Sequence, residues 1–250
     1  MRTRVVILAL LAGAALAACS DPPPVSPKES AAAGVPNDPR TMLAARAATA
    51  KDLHQVAVYR LRTPERPDRT VTMTFAQDGG WRLDVQGAAL GGTVDITLAR
   101  TASGLYQCAL PSAAYPTAGC VRLPRVAAAY DPKLQHLFTD WLEVFMDRDA
   151  ALAVSVAAAL PGVPGTCFAV DSSAVSVKVP IDAGIYCYGD DGTLTGARTA
   201  VGTLSLVGTP TAGPASVTLP AAVIPGQPLP NASPPPLSPS PSMTPTASGR

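Results

Sequence analysis

Residues 71–98 read VTMTFAQDGGWRLDVQGAALGGTVDITL, and three apolar sets alternate with polar residues along them: Val71, Met73 and Phe75; Trp81, Leu83 and Val85; Val94, Ile96 and Leu98. Strand side chains point alternately to the two faces of a sheet, so this period of two predicts strands with one apolar and one wet face. Asp78-Gly79 between the first two sets is a tight-hairpin signal. The stretch therefore predicts the middle of an antiparallel meander. Upstream, Ala57, Tyr59 and Leu61 repeat the alternation ahead of the loop Pro64-Glu65-Arg66-Pro67-Asp68. Downstream, the turn Thr101-Ala102-Ser103-Gly104 leads into a fifth strand over residues 105–110.

Beyond the meander the period changes. Asp131-Pro132 is a helix-start pair, and Leu134, Leu137, Phe138, Trp141, Leu142 and Phe145 follow at helical spacing. This stripe holds two of the four phenylalanines and one of the two tryptophans, so the core is expected where it lies on the sheet. Residues 150–160 form an apolar run that fits either a helix or a buried strand. Short strands are expected at 166–170, 185–188, 193–198 and 203–207, with Asp190-Asp191-Gly192 turning the middle pair and a last edge strand at 215–219. Ahead of the meander, Asp38-Pro39 opens a helix to about Asp52, with a thin stripe of Met42, Ala45, Ala48 or Thr49, and Leu53. The class implied is α+β, an antiparallel sheet packed on two or more helices, in a single domain over residues 38–224.

The flanks are of a different kind. Arg2 and Arg4 precede an apolar run that ends Leu16-Ala17-Ala18-Cys19. Residues 1–18 read as a signal peptide with a lipobox, cleaved before Cys19, because the apolar run is shorter than the 18 or more residues of a bilayer-spanning helix. The Cys19 thiol is then expected to take a diacylglyceryl group, with palmitate among its acyl chains, which places the protein on the extracytoplasmic face of the cell membrane. Residues 19–37 are a Pro- and Ala-rich tether, and residues 225–250 a Pro/Ser/Thr-rich tail expected to be disordered.

Charge and motifs exclude several classes. Losing Arg2 and Arg4 with the signal peptide leaves 17 basic against 18 acidic residues, which makes no electrostatic case for nucleic acid. Arg60, Arg62, Arg66 and Arg69 gather around one hairpin and read as a solvated loop, the alternative being a basic rim that meets anionic lipid headgroups or cell-wall phosphates. There is no GxSxG, HExxH, SxxK or phosphate-binding glycine loop, and the only histidines, His54 and His136, have structural accounts at a helix end and beside an apolar stripe. No catalytic residue, metal ligand or cofactor is assigned, and the chain reads as non-enzymatic. With Cys19 lipidated, Cys108, Cys120, Cys167 and Cys187 remain for an oxidising compartment. They allow three pairings. Cys108 with Cys120 and Cys167 with Cys187 are favoured, because each pair flanks a Pro- or Gly-containing turn segment. No CxxC spacing supports zinc.

The lipobox, tether, Asp-Pro helix, long alternating strands and second amphipathic helix together resemble the LolA/LppX-like half-barrel lipoproteins of actinobacteria. Leu105-Tyr106-Gln107-Cys108, Gly165-Thr166-Cys167-Phe168-Ala169-Val170 and Gly184-Ile185-Tyr186-Cys187-Tyr188 also look like phrases of uncharacterised cell-surface lipoproteins of that group. The resemblance implies a curved sheet, a half-barrel, wrapped over helices around an apolar cavity that carries a lipid. The implied ligand-facing residues include Phe75, Trp81, Leu83, Ile96, Phe138 and Trp141. The other expectation is an envelope protein with a filled core that binds a protein partner, because a half-buried sheet demands the same alternation.

Overall fold

The computed structural model describes residues 38–231, except Ala114 and residues 175–179. Eleven antiparallel strands make one open sheet: β1 Gln55–Arg62, β2 Arg69–Phe75, β3 Trp81–Ala89, β4 Val94–Thr101, β5 Gly104–Ala109, β6 Gly119–Leu123, β7 Leu152–Ala157, β8 Thr166–Ser172, β9 Gly184–Tyr188, β10 Leu194–Thr199 and β11 Gly202–Ala212. The spatial order is β6-β5-β4-β3-β2-β1-β11-β10-β9-β8-β7. Two meanders thus run outward from the central β1–β11 pair, with β6 and β7 at the edges. Among the described residues two α-helices accompany the sheet, α1 Pro39–Lys51 and α2 Asp140–Met146.

Register explains why the alternation was readable. Tyr59 faces Val71, Val71 faces Val85, Met73 faces Leu83, and Leu83 faces Leu98 across successive strands. One face, called inner here, therefore collects the apolar residues of β1 to β4, and the helices pack on it. On the second meander the inner face carries Phe168, Tyr186 and Tyr188, all fully buried. Trp141 and Phe145 of α2 meet Tyr186 edge-on, with ring centroids 6.1 and 5.0 Å away. β4 departs from the expected pattern: Thr97 and Ala99 on its outer side are buried too. There the Thr97 hydroxyl donates to Asp84, which also pairs with Arg82 at 2.9 Å.

Both helices differ in detail from expectation. Asp38 caps α1 by accepting from the Thr41 N–H at 2.8 Å, and Pro39 takes the first position. Its buried stripe, however, is Leu43 and Ala47, whereas Ala45, Ala48 and Thr49 are exposed. Alanines on every side of this helix carry too little contrast to mark a face. The second amphipathic segment is not one helix. A 3-10 turn, Leu134–Phe138, precedes α2, and the two are separated at Thr139, whose φ of −126° and ψ of −106° are not helical. The Thr139 hydroxyl donates back to the Gln135 carbonyl at 2.9 Å, a bond of the kind that competes with helix continuation. All six stripe residues are nonetheless buried, because i+3 and i+4 spacing keeps one face through either helix type. The ambiguous run 150–160 resolves as strand β7.

The expected edge strand at 215–219 does not form. Residues 213–231 run instead as a strap around the β6 edge. Gln77 and Asp78 of the β2–β3 turn donate to the Pro214 and Ala215 carbonyls, and Leu219 and Ala221 cover the outer face at Tyr106. Val223 bridges Cys120 in parallel at the edge, and Leu229 reaches the inner face over Ala89, Val94, Ile96 and Ala109. Gln107 holds Leu229 by a reciprocal pair, 3.1 and 2.6 Å. The packed part therefore extends past the expected boundary at residue 225, at least to Asn231. Proline-rich chain lacks N–H donors, but its carbonyls accept and its rings pack, so composition alone understated it. The tail from residue 232, the tether and the signal peptide lie outside the described residues.

Candidate functional site

Cys108 and Cys120 are cross-strand neighbours on β5 and β6, Cys167 and Cys187 on β8 and β9, and both pairs are disulfide-bonded as expected. Each lies on the outer face under a cover: Leu219 and Ala221 over the first, Leu160 and Val163 over the second. Cys19, the expected lipidation site, lies outside the described residues.

Five of the six residues expected to face a ligand are brought together, but as packing, and Ile96 lies apart from them. Leu83 and Ile96 are fully buried, Trp81, Phe138 and Trp141 nearly so, and Phe75 packs partly buried against the same core. Phe138 lies against Tyr59 at 5.2 Å. Ile96 belongs to the smaller cluster under Leu229. The inner face in this state is filled by the chain's own side chains.

A charged centre sits beside that core. His136 Nε2 is 2.9 Å from Asp131 Oδ2, and its Nδ1 is 2.7 Å from Asp140 Oδ1. Two carboxylates facing both ring nitrogens favour the doubly protonated ring, which stacks on Trp141 with centroids 5.7 Å apart. Burial alone would lower the His136 pKa, yet the bonds to Asp131 and Asp140 raise it to about 9. The two carboxyls are lowered in turn: burial works against ionisation, but His136 hydrogen bonds outweigh it at both, helped by Gln135 and the Lys133 N–H at Asp131 and by Thr139 at Asp140. The sequence signal for this triad is the placement of Asp131 and Asp140 either side of His136, five residues before and four after. His54, by contrast, only meets the Ala76 carbonyl at 2.9 Å.

Asp131 also borders a pocket of about 360 Å³, with Arg66, Arg69, Lys133, Leu134, Val201 and Asn231 among its walls. Of the four clustered arginines, Arg60 and Arg62 share Asp68 at 3.8 and 3.4 Å. Arg66 and Arg69 turn to the pocket instead. Arg69 Nη1 donates to the Gly87 carbonyl at 3.0 Å and Nη2 to the Thr63 hydroxyl at 3.2 Å. Gly87, at φ +54°, has no room for a Cβ, which would stand 2.9 Å from the Gly92 carbonyl oxygen. Lys133 enters through a left-handed backbone, φ 62°, set by its N–H bond to Asp131 Oδ1 at 2.7 Å. Asn231 joins by donating to the Asp131 carbonyl at 2.7 Å, a contact with no signal in the sequence.

Among the described residues no group of His, Cys, Asp and Glu is placed to hold a metal ion, and no helix is long and apolar enough to cross a membrane. No family model matches the chain, and no curated protein or solved structure matches it either.

Proposed function

We propose that the chain is a lipid-anchored extracytoplasmic protein that binds or carries a hydrophobic envelope molecule on a half-barrel of the LolA/LppX-like kind, without catalysing a reaction. The observation that carries this reading is the open antiparallel sheet with both helices on one apolar face. The seven residues of α2, the preceding 3-10 turn, α1 and, over β3 to β5, Leu229 cover that face, so a modest displacement of the helical pieces would expose apolar strand surface to a ligand. Cys19, processed as a lipobox cysteine, would hold the domain at the membrane that supplies such a molecule.

The test is native mass spectrometry of the full chain purified in mild detergent, followed by organic extraction. A discrete apolar mass retained at a fixed ratio supports carriage and names the cargo. A bare protein mass from repeated preparations refutes it. The second reading, an envelope protein that binds a protein partner, is favoured by the tight packing of Trp81, Leu83, Phe138 and Trp141, and a bare mass would move the assignment there. Anchoring is tested separately: Cys19→Ala should release the protein from membranes, and continued membrane association would refute the lipid anchor.

A further inference from the structure

We propose that the pocket walled by Arg66, Arg69 and Lys133 is a binding site for a phosphate ester carried on a sugar or polyol. The site borders the helix-covered inner face and shares Val85 and Leu134 with it, but its charged and polar groups line the pocket without that face opening, so it is tested independently of lipid carriage.

The charge balance points to an anion. Among the described residues, none of the three cations forms an ion pair, although Arg46, Lys51, Arg60, Arg62 and Arg82 all do. Asp131, the acidic residue in the wall, is already engaged by His136, Gln135 and the Lys133 N–H. One imidazolium offsets one of the two carboxylates of Asp131 and Asp140, so the triad keeps a net charge of about −1 against the three cations, and positive charge remains in excess at the pocket. Burial depresses the Arg69 pKa, and the neighbouring Arg66 charge depresses it further, a repulsion that an anion between them would reverse.

The polar atoms refine the ligand class. Arg69 is pinned by Gly87 and Thr63, yet its Nε is buried with no acceptor among the described residues. A fixed guanidinium flanked by two exposed cations suits the several oxygens of a phosphate better than the two of a carboxylate. On the same wall, the Asn231 side-chain oxygen is buried with no donor among the described residues. An acceptor would repel a bare anion but suits a hydroxyl group, which places hydroxyls beside the phosphate. Leu134 and Val201 add apolar wall, and the volume of about 360 Å³ falls at the small end of the roughly 300–1,000 Å³ of small-molecule sites.

The probe is glycerol 3-phosphate, titrated calorimetrically into the full chain in neutral detergent, with glycerol and acetate as controls. Saturable, salt-sensitive binding of glycerol 3-phosphate alone is the expected result. Arg66 and Lys133 are exposed, so the double variant Arg66→Ala with Lys133→Ala should keep the wild-type melting temperature and bind about tenfold more weakly. Arg60→Ala with Arg62→Ala should bind as wild type. A vesicle arm separates the sources: preference for phosphatidylglycerol over phosphatidylcholine, lost in the Arg66/Lys133 variant, assigns a lipid headgroup, whereas binding of glycerol 3-phosphate without that preference assigns a soluble or glycan-borne phosphate. Absence of binding in both arms, or undiminished binding by the Arg66/Lys133 variant, overturns the proposal.

Discussion

The two meanders solve the same problem with different materials. Each has a disulfide between adjacent strands on the outer face and needs something to cover it. In the β7–β11 meander the cover is local, with Leu160 and Val163 coming from the loop between β7 and β8, and Gly196 leaves room for Val163, whose Cγ1 would stand 2.9 Å from a Cβ there. In the β1–β6 meander the cover is remote: Leu219 and Ala221 follow β11, and the same segment continues around the edge to put Leu229 on the inner face. The inner faces differ too, with aromatics Phe168, Tyr186 and Tyr188 under α2 on one side and mainly aliphatic residues on the other. A short loop stabilises its own neighbours at small entropic cost, whereas the strap must close a long stretch of chain before it contributes. The β6 wing is accordingly expected to be the more easily loosened of the two.

The comparison can be broken at several points, and the largest effect is expected where both wings meet. Trp141 packs beside Tyr186 and under His136, so Trp141→Ala should cost about 3–5 kcal/mol by denaturant unfolding, and a loss below about 1 kcal/mol would place the helix on a surface rather than a core. Next come the disulfides. Removing Cys108–Cys120 or Cys167–Cys187, which close loops of 12 and 20 residues, should each cost on the order of 3 kcal/mol in the chain-entropy model. A clear excess for the first pair would mean that its strap contributes less than the local loop on the other side.

The His136 centre should report through pH. Its raised pKa contributes stability that is fully present below about 6.5 and lost as pH rises through about 9; the lowered Asp131 and Asp140 contribute stability present above about 4 and lost as pH falls below it. His136→Ala should cost about 2 kcal/mol near pH 6 and much less near pH 10, and a pH-independent cost would dismiss the charged centre. The smallest effect belongs to the strap. Leu229→Ser should cost about 1–2 kcal/mol and raise amide exchange in β5 and β6 while leaving β8 and β9 unchanged. Equal exchange in both wings would contradict a strap confined to one edge.

The strands were legible in proportion to their contrast. β1 to β3 bury apolar residues at every second position, Ala57 to Leu61, Val71 to Met73 and Trp81 to Val85, and their turns carry Asp-Gly and Pro signals, so their existence and inner faces could be read directly. β7 could not, because an apolar run satisfies a helix or a strand. The stripe on α1 was misplaced among alanines, and the break at Thr139 was hidden because its neighbours keep one buried face regardless. In the candidate site, the residues of the apolar set were visible, but their role as filling was not. The basic pocket draws on Arg66, Arg69, Lys133 and Asn231, which are distant in sequence and share no periodicity.

What the sequence by itself determined is everything that depends on near neighbours: the period of two, the Asp38 cap, the turns, and a pairing of cysteines across short segments. The tertiary structure alone decided the β1–β11 junction that fuses two meanders into one sheet, the path of residues 213–231 around its edge, and the gathering of Arg66, Arg69 and Lys133 in one pocket. Those features depend on contacts between distant parts of the chain, and such contacts leave no repeating mark in the residues that make them.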